Sequence, residues 1–90
     1  MGITLFKIKL MPSSPDVNLE EIKNKVKEIV EANKGKNPKF EEEPIAFGLK
    51  ALIVYFDIDE EYEVETIEEH FRNIKNVNSV QVVDMRRAFG

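Results

Sequence analysis

The chain has 90 residues, a hydrophobic content of 42%, a charged content of 33% and a net charge of −4, which indicates one compact domain over residues 1–90. It contains no cysteine and one histidine, so disulfides, thiolate chemistry and histidine-rich metal centres are excluded. The acidic balance disfavours binding to phosphate backbones, and no apolar run reaches the ~20 residues of a membrane span. The N-terminus lacks the features of a signal peptide, so we expect a cytoplasmic protein.

Residues 3–10 predict a first strand, because apolar and polar positions alternate along them. The even-numbered side chains from Thr4 to Leu10 share one face, and Lys7 and Lys9 lie on the other. One face of the sheet is therefore expected to be covered and the other to be wetter. A loop rich in proline and serine over residues 11–16 ends the strand.

A first helix is predicted to follow Asn18, a favourable N-cap residue with Glu21 three positions later, as in a capping box. Its apolar side chains recur every three or four residues and form one stripe, which comprises Leu19, Ile22, Val26, Ile29 and Val30. The helix should end within residues 33–36, where Asn33 or Gly35 can adopt a left-handed conformation.

Two further strands are predicted in the middle of the chain. Residues 37–45 are charged and contain Pro44, which is typical of an edge strand. Residues 49–58 include a continuous apolar run and indicate a central strand with a neighbour on each side.

The turn between these strands is apolar where a solvated turn should be polar. Pro44 and Gly48 mark the turn, and Phe47 stands next to the glycine. Two interpretations remain open at this point: Phe47 packs back onto the core, or it is displayed for a partner.

A second helix is predicted over residues 64–74 and a last strand over residues 79–87. The adjacent Val82 and Val83 blur the alternation of the last strand, so its buried face is not determined. The element order is β-α-β-β-α-β, which predicts the ferredoxin-like α+β fold, a four-stranded antiparallel sheet with two helices on one face. Right-handed crossovers would place strands one and three at its centre.

The chain offers no clear catalytic or metal-binding constellation. His70 lies one position off the apolar stripe of the second helix, which favours an exposed histidine over a catalytic one. The pattern Asp57-x-Asp59-x-Glu61 begins like a calcium-binding loop but lacks the central glycine, so a solvated acidic face is favoured. The four scattered glycines form no phosphate-binding loop, and we expect the chain to bind no nucleotide or cofactor itself.

RNA binding is an alternative, because RNA-recognition domains share this topology and stack bases on aromatic side chains of strands one and three. Only Tyr55 is expected on the open face, and the acidic charge opposes this function. Arg86 and Arg87 form the one basic pair in the acidic half of the chain. They suit either a charged strand end or a cationic tip aimed at a partner.

Three segments, spread in order over the whole chain, resemble the archaeal elongation factor 1-beta family. They are Met11-Pro12-x-Ser14-Pro15-Asp16-Val17-x-Leu19, Glu43-Pro44-Ile45-Ala46-Phe47-Gly48-Leu49-x-Ala51-Leu52 and Val82-Val83-Asp84-Met85-Arg86-Arg87. The resemblance implies a ferredoxin-like fold and a guanine-nucleotide exchange factor. Its partner would be the elongation factor 1-alpha GTPase, which carries aminoacyl-tRNA to the ribosome, and no enzymatic step, membrane or direct nucleic-acid contact would be involved.

The resemblance also implies which residues contact the GTPase. Phe47, with Gly48 beside it, corresponds to a loop phenylalanine of the family. Arg87, or else Arg86, is nearest to a lysine of the eukaryotic factor that reaches the Mg²⁺ site of the GTPase. An RNA-binding module of the same fold, and a small-ligand or enzymatic domain, remain the alternatives.

Overall fold

The computed structural model describes residues 2–89, and the side chains of residues 2–87. It contains four strands and two helices, which are β1 (Ile3–Pro12), α1 (Leu19–Ala32), β2 (Lys36–Pro44), β3 (Lys50–Asp59), α2 (Val64–Arg72) and β4 (Val77–Phe89). The strands form one antiparallel sheet in the order β2-β3-β1-β4. The predicted ferredoxin-like fold and the central placement of strands one and three are confirmed.

The two central strands supply the sheet side of the core. Phe6, Ile8 and Leu10 of β1 are buried on the face that the helices cover. The apolar run of β3 is buried on both faces, since Ala51 and Ile53 are also inaccessible to solvent. On the uncovered face, Lys9 lies opposite Ile53 and Glu43 lies opposite Ala51, and the two charged side chains form an ion pair at 3.4 Å. Their aliphatic stems can therefore shield Ala51 and Ile53 from solvent where no helix covers them.

Three aromatic rings join the sheet to the helices. Phe6 and Phe56 stack with their ring centroids 5.7 Å apart, and Phe71 of α2 meets Phe56 edge-on at 6.4 Å. From α1, Val26 and Val30 enter the same cluster and are fully buried. This packing fixes both helices on one face of the sheet and leaves the other face open.

Helix α1 begins as predicted and ends differently. The Asn18 side chain caps the helix by accepting the N–H of Glu20 at 2.9 Å, rather than that of Glu21. At the other end, Lys34 is the left-handed residue, with φ 66°, and neither Asn33 nor Gly35 is. The N–H groups of Lys34 and Gly35 donate to the carbonyls of Glu31 and Val30, which is the Schellman pattern.

Gly35 is needed for close packing and not for its backbone freedom. A Cβ atom at this position would lie 2.5 Å from Val30 Cγ1 and 3.0 Å from the Val30 carbonyl oxygen. The chain can therefore turn tightly from α1 into β2 only without a side chain here.

Several predicted boundaries shift by one or two residues. β1 continues through Pro12, β2 covers residues 36–44, β3 starts at Lys50, α2 ends at Arg72, and β4 starts at Val77. The predicted helical stripe ran on to Ile74 because this residue does pack against the core, although it lies beyond the helix. Asn76, with φ 72°, makes the turn into β4.

A register irregularity explains why the buried face of β4 could not be predicted. Lys7 pairs with Asp84 and Ile8 pairs with Val82, so Val83 is an extra residue in β4. Val80 and Val82 pack against the core, whereas Val83 and Met85 are exposed. No helix within residues 2–89 is long and apolar enough to cross a membrane.

Candidate functional site

The hairpin between β2 and β3 projects beyond the end of the sheet. Pro44 is the last residue of β2, and the Ile45 N–H donates to the Leu49 carbonyl at 2.7 Å, which closes the loop. A single 3₁₀ turn over residues 46–48 forms the tip, and the Leu49 N–H donates to the Ala46 carbonyl at 3.3 Å. These two backbone hydrogen bonds, one closing the loop and one within its tip, define the conformation of the short apolar loop.

Phe47 occupies the tip and points into solvent. Its side chain is 95% exposed, so the interpretation in which it packs onto the core is wrong. Its backbone is left-handed, with φ 62° and ψ 29°, and Gly48 follows with φ 77°. A left-handed backbone costs a residue with a side chain roughly 1–2 kcal/mol. The domain therefore holds a bulky aromatic side chain outward at some cost to its own stability.

A shallow cleft adjoins the tip. It has a volume of about 350 Å³ and separates Gly48 and Lys50 of the hairpin from the loop after β1 and the first residues of α1. Pro12 and Pro15 lie on the loop side, and Glu42 and Lys50 approach each other to 4.0 Å on the hairpin side. The prolines limit the motion of the loop, and Gly48 brings the cleft next to Phe47 in the chain.

Arg86 and Arg87 lie near the end of β4, and each pairs with a carboxylate. Arg86 Nε is 3.0 Å from Asp84 Oδ2 on the same strand. Arg87 Nη2 contacts Glu60 Oε2, in the turn that follows β3. Both guanidinium groups are mostly exposed, so they remain accessible to another molecule.

The structure does not bring Phe47 and the arginines together. Arg86 lies opposite Leu5, which in turn lies opposite Asp57 of β3, whereas the hairpin tip precedes Lys50 at the other end of β3. The seven residue steps from Lys50 to Asp57 span about 23 Å at about 3.3 Å per residue. Since the molecule measures 42 × 21 × 18 Å, the two predicted contact regions lie at opposite ends of its long axis.

The other candidate side chains lie apart from both regions. His70 is exposed on α2 and lines a groove of about 580 Å³ between the two helices. Among residues 2–89, no three histidine, aspartate or glutamate side chains are placed to hold a metal ion. Asp57 instead accepts a hydrogen bond from Asn37 at 2.9 Å, and Asp59 accepts the N–H of Glu61.

Tyr55 lies on the open face of the sheet, as predicted. It stands directly between Lys7 of β1 and Lys39 of β2, and the Lys7 ammonium lies 5.5 Å from the ring centroid. Phe6 and Phe56 face the core instead. The open face therefore presents one aromatic ring between two lysines.

Sequence reasoning missed the two carboxylates that hold the arginines. Asp84 lies two residues before Arg86, and this spacing places both side chains on one face of a strand, so the signal was present. Glu60 lies 27 residues from Arg87, and nothing local in the sequence connects them.

Known proteins resemble the chain over nearly its full length. Residues 5–88 match the EF-1 guanine nucleotide exchange domain family. An elongation factor 1-beta from Methanosarcina barkeri is 48% identical over 88 residues, covering 97% of this chain and 99% of the relative. An elongation factor 1-beta from Methanococcus maripaludis strain C6 is 38% identical over 86 residues, covering 94% and 97%.

Two solved structures share the fold at low sequence identity. The ACT domain of a GTP pyrophosphokinase from Chlorobium tepidum superposes with a TM-score of 0.62 at 13% identity, covering 88% of this chain and 96% of that one. Ribosomal protein S6 from Thermotoga maritima gives 0.64 at 20% identity, covering 94% and 87%. These two likenesses show the fold alone. The family assignment rests on the sequence match. The chain belongs to the EF-1 guanine nucleotide exchange domain family.

Proposed function

We propose that residues 1–90 act as a single exchange domain that promotes GDP release from the elongation factor 1-alpha GTPase. Family membership and the names of the archaeal relatives support this function. The observation that carries the proposed contact is Phe47, a large apolar side chain held outward at the hairpin tip. In this function the chain is not an enzyme, and it binds neither a nucleotide nor a cofactor itself.

Exchange of this kind follows from thermodynamic linkage. Bound GDP and Mg²⁺ stabilise one conformation of the GTPase. A partner that binds the emptied GTPase more tightly than the loaded one weakens nucleotide binding by the same factor, because coupling between two sites is reciprocal. The exchange factor needs differential binding energy, and it needs no nucleophile, base or metal of its own.

Phe47 would supply part of that energy through apolar burial. Full burial of a phenylalanine side chain contributes about 1.5–3 kcal/mol. Because Phe47 is almost fully exposed in the free domain, nearly all of this gain remains for the complex. The left-handed backbone orients the ring before the partner arrives, which lowers the ordering cost of binding.

Arg86 and Arg87 would act at the opposite end by charge. A guanidinium group carries a permanent positive charge and forms strong hydrogen bonds to phosphate and carboxylate groups. Such a cation would compete with Mg²⁺ at an anionic site. Since the hairpin tip and the arginines are more than about 20 Å apart, the proposed GTPase complex requires two separate contact regions.

Release of a fluorescent GDP analogue from the elongation factor 1-alpha of the same organism tests the function. The native chain is expected to accelerate release. Phe47→Ala should slow the accelerated rate by about 10- to 30-fold, which corresponds to about 1.5–2 kcal/mol of lost burial. Phe47→Leu keeps most of the apolar area and should retain most of the activity. No acceleration by the native chain would refute the function, and full activity of Phe47→Ala would remove the proposed site.

The position of Tyr55 between two lysines favours RNA binding as a second candidate function. A partly exposed aromatic ring flanked by cations, as Tyr55 is here, can stack a base and contact its phosphate. A salt titration with single-stranded RNA tests it, because phosphate contacts give an affinity that falls steeply with salt. Absence of binding at low salt would exclude this candidate.

A further inference from the structure

The two arginines near the end of β4 face opposite sides of the sheet. Arg86 lies opposite the exposed Leu5, and Arg87 lies opposite the buried Thr4. Successive side chains of a strand point to opposite faces, so Arg86 lies on the open face and Arg87 on the face that carries the helices. A partner that approaches one face would meet only one of them directly.

The two carboxylates that pair with the arginines lie in different parts of the chain. Asp84 belongs to the same strand as Arg86, and its Oδ1 also accepts the N–H of Met85 at 2.9 Å. Glu60 belongs to the turn between β3 and α2, so it ties Arg87 to another part of the chain. The Glu60 N–H donates to the Gly2 carbonyl at 3.0 Å, which anchors that turn to the residue preceding β1.

Glu60 is the more fixed member of its pair. Its side chain is 24% exposed, whereas that of Arg87 is 67% exposed. Arginine has several freely rotating bonds, and holding it in one conformation costs up to about 2 kcal/mol of side-chain entropy. If the anchored Glu60 carboxylate already restricts Arg87, less side-chain entropy is lost when a partner binds.

The contact leaves most of the guanidinium free. Arginine has five N–H donors, and Glu60 accepts from one nitrogen, Nη2. The remaining donors belong to a side chain that is two-thirds exposed, so they can still reach a phosphate or carboxylate. Glu60 therefore orients Arg87 without occupying the whole group.

Building on the exchange function proposed above, we propose that Glu60 is a positioning residue that holds Arg87 in the conformation in which it contacts the GTPase. Glu60 itself need not touch the GTPase. Its effect passes through Arg87 and should vanish when Arg87 is absent.

The test compares Glu60→Gln with Glu61→Gln in the nucleotide-release assay. Both variants remove one negative charge from the same turn, and of these two glutamates only Glu60 forms an ion pair with Arg87 among the described side chains. Glu60→Gln should lower the accelerated release rate by about two- to five-fold, the range of an exposed ion pair. Glu61→Gln should match the native chain, and circular dichroism checks that both variants fold.

A double-mutant cycle separates positioning from a general structural effect. In an Arg87→Ala background, Glu60→Gln should produce no further loss, because the two residues act as a unit. Equal losses in both backgrounds would overturn the positioning role, and so would a Glu60→Gln variant that is faster than the native chain. If Arg87→Ala alone is fully active while the native chain accelerates release, the inference fails and the exchange function stands.

Discussion

Phe47 adds little to the stability of the isolated domain. Its side chain gains almost no burial, and its left-handed backbone disfavours any residue with a Cβ atom other than asparagine or aspartate. Folding of the isolated domain does not by itself explain a residue with this combination. Strain of this kind is concentrated at functional sites, which is consistent with the proposed contact.

Replacing Phe47 by asparagine should therefore stabilise the domain while it slows nucleotide exchange. We expect Phe47→Asn to raise the free energy of unfolding by up to about 1 kcal/mol, because asparagine tolerates the left-handed region. Urea denaturation measures the change, and Phe47→Leu, which keeps the strain, should match the native chain within about 0.5 kcal/mol. A less stable Phe47→Asn variant would mean that the ring packs against the domain.

The sequence could predict that Phe47 is unusual but not where it points. An apolar residue beside Gly48 is compatible with a ring that packs inward or outward. The deciding factor is the hydrogen-bonded closure between Ile45 and Leu49, which depends on the register of two strands. For the same reason the contact between Glu60 and Arg87 could not be predicted, since it exists only after β1, β3 and β4 have paired.

At the scale of the elements, the turn from α1 into β2 leaves no room for a side chain at Gly35. We expect Gly35→Ala to destabilise the protein by about 1–3 kcal/mol, because its Cβ would overlap Val30. This corresponds to a fall of about 5–20 °C in the melting temperature followed by circular dichroism.

Gly48→Ala provides the matched comparison. No atom lies within 4 Å of a Cβ at Gly48, although φ there is +77°. The cost should then be limited to backbone strain of roughly 1–2 kcal/mol. If Gly35→Ala proved as stable as the native chain, the close approach to Val30 would have no energetic importance.

Strand faces were predictable wherever the alternation is unbroken. β1 follows a period of two from Thr4 to Leu10, and its buried face was predicted correctly. In β4 the extra residue Val83 reverses the alternation partway along the strand, so no single face assignment fits the sequence. Bulges depend on pairing with a neighbour, and the pattern of one strand does not reveal them.

At the scale of the whole molecule, the long axis separates the two proposed contact regions. Substitutions more than about 7–10 Å apart, which contact no residue in common, change free energies almost additively. Phe47 and Arg87 are separated by most of the length of β3. They should therefore contribute independently to GTPase binding.

This independence can be measured by titration calorimetry with the nucleotide-free GTPase. The loss in the Phe47→Ala/Arg87→Ala double variant should equal the sum of the single losses within about 0.5 kcal/mol. A coupling energy above about 1 kcal/mol would show that the two regions do not act separately. Glu60 and Arg87 are in direct contact, so their substitutions are expected to be non-additive.

The strand order also affects how the chain folds during its synthesis. β1 is made first, yet its two neighbours are β3 and β4, and the latter ends at Phe89. While the ribosome is still adding the second half of the chain, β1 has no partner, and both of its edges stay unpaired until β3 and then β4 emerge. Because distant pairings form slowly and unpaired edges promote aggregation, we expect the domain to fold only once β4 has emerged from the ribosome.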